Sequence, residues 1–197
     1  MQEESGDKSA SEADDIALMM LVKDGDLDAF HALVTNYQYR VVGTVTRMLG
    51  NEEGSEDIAQ QVFLRVWKSA KTYKPKAKFN TWLMTITRNL VFNEIRRRTR
   101  HPTQPLDAEH DDRPAQQYED TVTPSPADQM EQKELQAAVD AAIAALPEQQ
   151  RMAVVLRRYE ELSYEEIAEI LSTSVSAVKS MLFRARAELR EHLQKYL

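Results

Sequence analysis

Apolar residues recur at three- and four-residue spacing along most of this chain, and alternation at period two is absent. One helical run begins near Ile16 and passes through Leu18, Leu21, Val22, Leu27, Phe30, Leu33, Val34 and Tyr37. It continues with Val41, Val42, Val45, Met48 and Leu49 and reaches Gly50, a suitable C-cap. The next helix is predicted from about residue 54 to 70, with Ile58, Val62, Phe63, Val66 and Trp67 inward. A basic loop broken by Pro75 comes next at 73–78, then a long helix over 80–100 with Trp82, Leu83, Ile86, Leu90, Val91 and Ile95 inward.

The pattern lapses at both edges of this block. Residues 1–15 are polar and acidic and predict a disordered tail. From His101 the chain carries Pro102, Pro105, Pro114, Pro124 and Pro126 among many acids, so residues 101–129 read as an acidic, proline-rich linker. Periodicity returns with Leu135, Val139, Ile143 and Leu146 on one face, stopped by Pro147, and a further helix spans about 151–159. The expected fold is all-α: two small helical domains, 16–100 and 130–197, joined by a flexible tether.

The last 35 residues carry the most specific local signal. Ser163 and Glu166 form a capping box ahead of Ile167, Ala168, Ile170 and Leu171. After Ser172 and Thr173, Ser174 caps a second helix whose inner face is Val175, Val178, Leu182, Ala185 and Leu189. Its outer face is Ser176, Ala177, Lys179, Ser180, Phe183, Arg184 and Arg186. Small residues early admit base edges and basic residues later grip phosphates, which describes a helix-turn-helix, although the turn lacks the glycine often found there.

Charge adds a constraint. The formal net charge is −7, against what tight unaided DNA binding needs, while base concentrates at 88–100 and 179–190. The pattern predicts local DNA-facing patches on a protein that needs help to bind. Cysteine is absent, which excludes disulfides and thiolate metal sites. His31, His101, His110 and His192 stand at no metal-ligand spacing, and no nucleophile–base pair or glycine-rich phosphate loop appears, so no catalytic residue, metal or cofactor is expected. With no signal-like N-terminus and no apolar run of membrane-spanning length, a cytoplasmic location without membrane insertion is expected.

The N-terminal motifs narrow the reading. The run 56–67, EDIAQQVFLRVW, precedes FNTWL at 79–83, ITRN at 86–89 and the arginines 96–98. These closely resemble region 2 of bacterial sigma factors of the extracytoplasmic-function group. LPEQQR at 146–151, LSYEEIA at 162–168, VKS at 178–180 and RAR at 184–186 resemble their region 4. The resemblance covers about residues 16–100 and 130–195.

That resemblance implies a function and a set of sites. By it, the chain is an alternative sigma factor that binds core RNA polymerase, directs initiation through −10 and −35 promoter elements, melts the promoter, and answers to an anti-sigma factor in a stress or envelope response. It implies that Asp57, Gln60 and Gln61 dock on the clamp of the largest polymerase subunit, and that region 4 reaches the flap of the second-largest. Tyr73, Lys76, Lys78, Phe79, Asn80, Arg88, Asn89, Arg96 and Arg97 would face the −10 element, with Tyr73, Phe79 and Asn80 lining a pocket for a flipped base. Phe79 and Trp82 equally suit a core, and Arg97 and Arg98 equally suit a helix C-terminus complementing its dipole. Ser174, Ser176, Ala177, Lys179, Ser180, Phe183 and Arg184 would face the −35 element. Met181 stands where many relatives carry a basic residue, and Arg151 and Arg157 lie where a preceding helix could approach the backbone. The linker would thread the polymerase cleft and RNA exit path, or serve as a solvated spacer.

The competing function is a stand-alone helix-turn-helix regulator of duplex operators. It has no use for the basic loop, the arginine-rich long helix or the Asp57, Gln60 and Gln61 face.

Overall fold

The computed structural model describes residues 4–50, 54–100 and 126–196. Its elements in order are α1 (Glu4–Lys23), α2 (Leu27–Leu49), α3 (Ser55–Ser69), a 3-10 turn (Ala70–Thr72), α4 (Phe79–Arg100), α5 (Pro126–Ala145), α6 (Glu148–Arg158), α7 (Tyr164–Leu171), α8 (Val175–His192) and a 3-10 turn (Gln194–Tyr196). Every regular element among the described residues is a helix, as the apolar spacing predicts.

The caps explain the boundaries. Asp26 accepts a hydrogen bond from the Ala29 N–H at 2.9 Å and starts α2, just after Gly25 at φ +97°. The apolar periodicity runs through this turn without a break and so conceals it. Gly50 ends α2 in the left-handed region, φ 75°, as expected. Pro126 opens α5, where a missing N–H costs nothing.

Two expectations change. The tail expected to be disordered over 1–15 is helical from Glu4 onward. Its anchor is polar: the Tyr37 hydroxyl donates to Asp15, which is buried, one helical turn before the buried Met19. Burial pushes the Asp15 carboxyl up, against the pull of the Tyr37 bond and of Arg40. The linker assignment at 101–129 falls largely on residues 101–125, outside the described residues; α5 already begins at Pro126.

The two halves also pack together. One apolar cluster runs from Met19, Leu33 and Val41 through Leu83 and Val91 to Met152, Leu156, Ile167 and Leu182. Helix α4 lies against α2 and α3 on its own side and against α7 on the other, and α2 touches α5 and α6. Burial from two sides explains why Thr81, Met84, Thr87 and Phe92 are buried in α4 beside the expected Leu83 and Val91. Leu135, expected inward on α5, is exposed.

Candidate nucleic-acid and polymerase interfaces

Helix α3 turns Ile58, Ala59, Val62, Phe63 and Val66 into the core, while Trp67 packs its ring 5.1 Å from that of Phe30. Its polar face is then fixed by helical spacing. Asp57, Gln60 and Gln61 are all exposed, and Leu64 joins them at the next turn with 56% of its surface open to solvent. An exposed leucine amid acids and amides gives this face an apolar centre with a hydrogen-bonding rim, the make-up of a protein interface. Leu64 is absent from the residues expected here, because an apolar side chain in a helix suits the core by default. Its i+7 relation to Asp57 is the signal that places it on the polar face.

The loop between α3 and α4 divides its residues between core and surface. Tyr73 and Phe79, expected to line a base pocket, are core residues, 2% and 1% exposed. The Tyr73 ring meets Trp82 edge-on at 4.9 Å, and Phe79 meets Tyr37 at 5.1 Å. Their apolar area is used inside the bundle, leaving no face for a base in this conformation. Lys76 and Lys78 are exposed, and Asn80 is half-buried with a side-chain oxygen that has no partner. Lys78 Nζ stands 3.3 Å from Glu12 and 3.5 Å from Glu166, and the Glu166 charge pushes its pKa up.

Along α4 the basic residues differ. Arg88 donates to the Asn89 side chain at 2.8 Å and to the Leu171 carbonyl at 3.1 Å, crossing between the halves. Arg96 is exposed. Arg97 donates to Glu94 at 2.7 and 2.8 Å, and Arg98 to the same carboxylate at 2.9 Å. The two Arg97 bonds above all, with those from Arg98 against the opposing cost of burial, hold Glu94 down to about 2. Arg97 is thus engaged within its own helix end, the alternative the sequence left open.

Helices α7 and α8 form the expected helix-turn-helix. The Ser163 side chain accepts from the Glu166 N–H at 3.2 Å while Glu166 accepts from the Ser163 N–H at 2.8 Å, completing the capping box. Burial pushes the Glu166 carboxyl up, but the Ser163 bonds and Lys78 outweigh it and the net shift is downward. Ser172 adopts φ +53° at the end of α7 and supplies the left-handed turn usually given to glycine. Ser174 caps α8 by accepting from the Ala177 N–H at 3.2 Å. Val178, Leu182 and Ala185 are buried, whereas Ser176, Lys179, Ser180, Phe183 and Arg184 form one open surface; Ala177 is half-buried beside it. Phe183 is 74% exposed, an unusual position for a large apolar ring and one that suits contact with thymine methyl groups or sugar.

Of three residues singled out near this motif, one, Arg151, is corrected. Met181 is buried, so the apolar residue fills the core at that place. Arg151 donates to the Met48 carbonyl at 2.6 Å, to Leu146 at 3.0 Å and to Ala144, which makes it a clamp between the halves and removes it from a DNA backbone. Arg157 donates to the Leu162 carbonyl at 2.8 Å and lies 5.3 Å from the Tyr164 ring.

Comparison with known proteins agrees with this geometry. Residues 33–101 match the family model described as Sigma-70 region 2, and residues 136–189 match Sigma-70, region 4. The chain is 36% identical over 176 residues to the ECF RNA polymerase sigma factor SigW of Bacillus subtilis, covering 88% of this chain and 93% of that protein. It is 33% identical over 187 residues to the RNA polymerase sigma-H factor of Pseudomonas aeruginosa, covering 93% and 95%. Among solved structures, CnrH in complex with the cytosolic domain of CnrY superposes with a TM-score of 0.67 at 22% identity, covering 92% of this chain and 98% of that one. The sigma factor RpoE in complex with the anti-sigma factor NepR from Bartonella quintana gives 0.65 at 20% identity, covering 85% and 98%. At such identities the two structures attest the fold.

Proposed function

The chain belongs to the extracytoplasmic-function group of the sigma-70 family, and from that premise we propose how its surfaces divide the work of promoter-specific initiation. It is an alternative sigma factor: it binds core RNA polymerase and promoter DNA, directs transcription initiation, and is regulated by an anti-sigma factor. It makes and breaks no bond of its own. No described helix is long and apolar enough to cross a membrane. As a polymerase subunit it works where the polymerase does, in the cytoplasm.

The observation that carries this reading is the separation of two open faces on one frame. Asp57, Gln60, Gln61 and Leu64 on α3 dock on the clamp of the largest polymerase subunit, apolar contact at Leu64 providing affinity and the polar rim register. Ser176, Lys179, Ser180, Phe183 and Arg184 on α8 enter the major groove of the −35 element, with Ser174 and Ala177 at its edge, while the surrounding C-terminal half contacts the flap.

Between them, Lys76, Lys78, Asn80, Arg88, Asn89 and Arg96 run along the opened −10 strand. Asn80 supplies base-edge hydrogen bonds and the cations supply phosphate contacts. Tyr73 and Phe79 support this loop from beneath. An operator-binding regulator would leave the α3 face without a use.

Run-off transcription with bacterial core polymerase tests the reading. Addition of the protein yields discrete promoter-dependent transcripts from templates that core alone ignores. Sequence-specific duplex binding by the free chain, with no effect on core polymerase, overturns it.

A further inference from the structure

A groove of about 720 Å3 lies where the two halves meet. Its N-terminal wall includes Tyr39, Arg40, Lys78 and Asn80, and its opposite wall includes Glu160 and Glu166. The N-terminal wall has the chemistry of a seat for single-stranded nucleic acid. Tyr39 offers a ring that is 73% exposed, available for stacking. Arg40 and Lys78 offer charge for phosphates. Asn80 offers an amide whose oxygen has no partner.

Both cations are already engaged by carboxylates of the other half, and Lys78 also by Glu12 of its own half at 3.3 Å. Glu160, 6% exposed, accepts from Arg40 Nε at 2.9 Å and from the Thr44 hydroxyl at 3.0 Å, with a second Arg40 nitrogen 2.9 Å away. Glu166 lies 3.5 Å from Lys78. Both Arg40 nitrogens meet one Glu160 oxygen, an anionic acceptor of the kind a phosphate also presents. Glu160 thus stands in the position a strand phosphate would take.

We propose that Tyr39 and Arg40 extend the strand-binding surface beyond Lys78 and Asn80, and that Glu160 and Glu166 plug this surface when no DNA is bound. The inference rests on the reading of Lys78 and Asn80 as −10 contacts. A contrast within the molecule supports it. In the same conformation the −35 face on α8 and the polymerase face on α3 are open, whereas here the cations, though exposed, are paired to carboxylates. The plug is also unequal in strength. Lys78–Glu166 is a half-exposed pair of little weight, whereas Glu160 is a buried carboxylate with charged and neutral donors.

The test uses the full chain, a fluorescent single-stranded oligonucleotide carrying a −10 sequence, and small-angle scattering. Glu160→Gln with Glu166→Gln keeps side-chain shape, and Gln at 166 preserves the capping box. The double variant is expected to bind the oligonucleotide about tenfold more tightly and to show a larger radius of gyration, and adding Tyr39→Ala is expected to remove most of the gain. Glu166→Gln alone, which leaves the buried contact intact, gives a smaller change in the same direction. Unchanged affinity in the double variant, or a Tyr39→Ala chain that binds as tightly as its parent, overturns the proposal. The −10 reading is tested separately by Lys78→Ala and Asn80→Ala in holoenzyme on a pre-melted template. If those leave −10 use intact, that reading fails on its own account, whereas a double variant that opens without binding more tightly refutes only the plug.

Discussion

Arg151, at the first turn of α6, donates to the main-chain carbonyl of Met48 at the end of α2, 2.6 Å away and 103 residues earlier in the chain. The same guanidinium serves the carbonyls of Ala144 and Leu146, so the C-terminal ends of two helices, α2 and α5, share one cation. Those carbonyls are among the groups a helix leaves unpaired at its C-terminus. Burial lowers the Arg151 pKa, with Glu148 acting in the opposite sense.

Arg151→Ala should therefore destabilise the protein by about 1–3 kcal/mol, the cost of leaving buried acceptors without donors. Arg151→Lys should recover only part of this, because a single ammonium cannot reproduce the planar fork. Urea midpoints of the two variants check the claim. A lysine variant as stable as the parent would show that charge, and not the fork, is what matters there.

Phe79 and Asn80 are neighbours with separate duties. Phe79→Ala should cost about 3–5 kcal/mol, as large-to-small changes in a core do. Asn80→Ala should leave the melting temperature nearly unchanged and reduce discrimination among −10 sequences on a pre-melted template. Normal −10 discrimination by the Asn80 variant would remove it from the base contact.

On α3, Asp57→Ala with Gln61→Ala, and separately Leu64→Ala, should each weaken association with core polymerase. Stability should move by no more than about half a kcal/mol, because all three residues are exposed. Competition for core against the unaltered chain measures the effect. A Leu64 variant that competes normally would move the apolar centre of the interface elsewhere.

How much of this was legible in the sequence depended on the range of the interaction. Ser163 with Glu166, Ser174 and Gly50 announce their helix ends because their partners lie within a few residues. The outward faces of α3 and α8 come from 3.6-residue spacing. Tyr73 and Phe79 did not declare themselves, since an aromatic beside lysines fits a stacking platform and a core equally well. Glu160 carries no local mark at all: its partners Arg40 and Thr44 are 120 and 116 residues away, and a buried acid looks like any other acid in a sequence. The helicity of residues 4–15 was hidden likewise, since the bond that anchors it joins Asp15 to Tyr37 on the next helix.

Glu94 supplies a pH dependence. Its folded pKa of about 2 lies below its ordinary value of 4.5, held there chiefly by the hydrogen bonds from Arg97. A depressed carboxylate stabilises the fold fully above about pH 4.5, and that contribution is lost as pH falls toward 2. Glu94→Gln should thus destabilise the protein near neutrality and progressively less in acid. Denaturation midpoints of both chains between about pH 3 and pH 7 give the comparison. A difference that stays constant over that window would mean the ion pairs do not set the shift.

Lys179 and Arg184 should divide −35 recognition between base and backbone. Lys179 lies on the second turn of α8 after the Ser174 cap, where the N-terminal half of a recognition helix meets base edges. Arg184 is exposed more than a turn further on, where the helix leaves the groove. Lys179→Ala should relax base preference at one position by roughly 1–3 kcal/mol. Arg184→Ala should weaken all sequences alike and reduce the salt dependence by about one ion. Neither change should alter the fold, since both side chains are outside the packed face of Val178, Leu182 and Ala185, nor binding to core through α3. Holoenzyme selection over a randomised −35 library at several salt concentrations separates the two effects. An unchanged preference in the Lys179 variant beside an altered one in the Arg184 variant would exchange their roles and place the C-terminal half of α8 deeper in the groove.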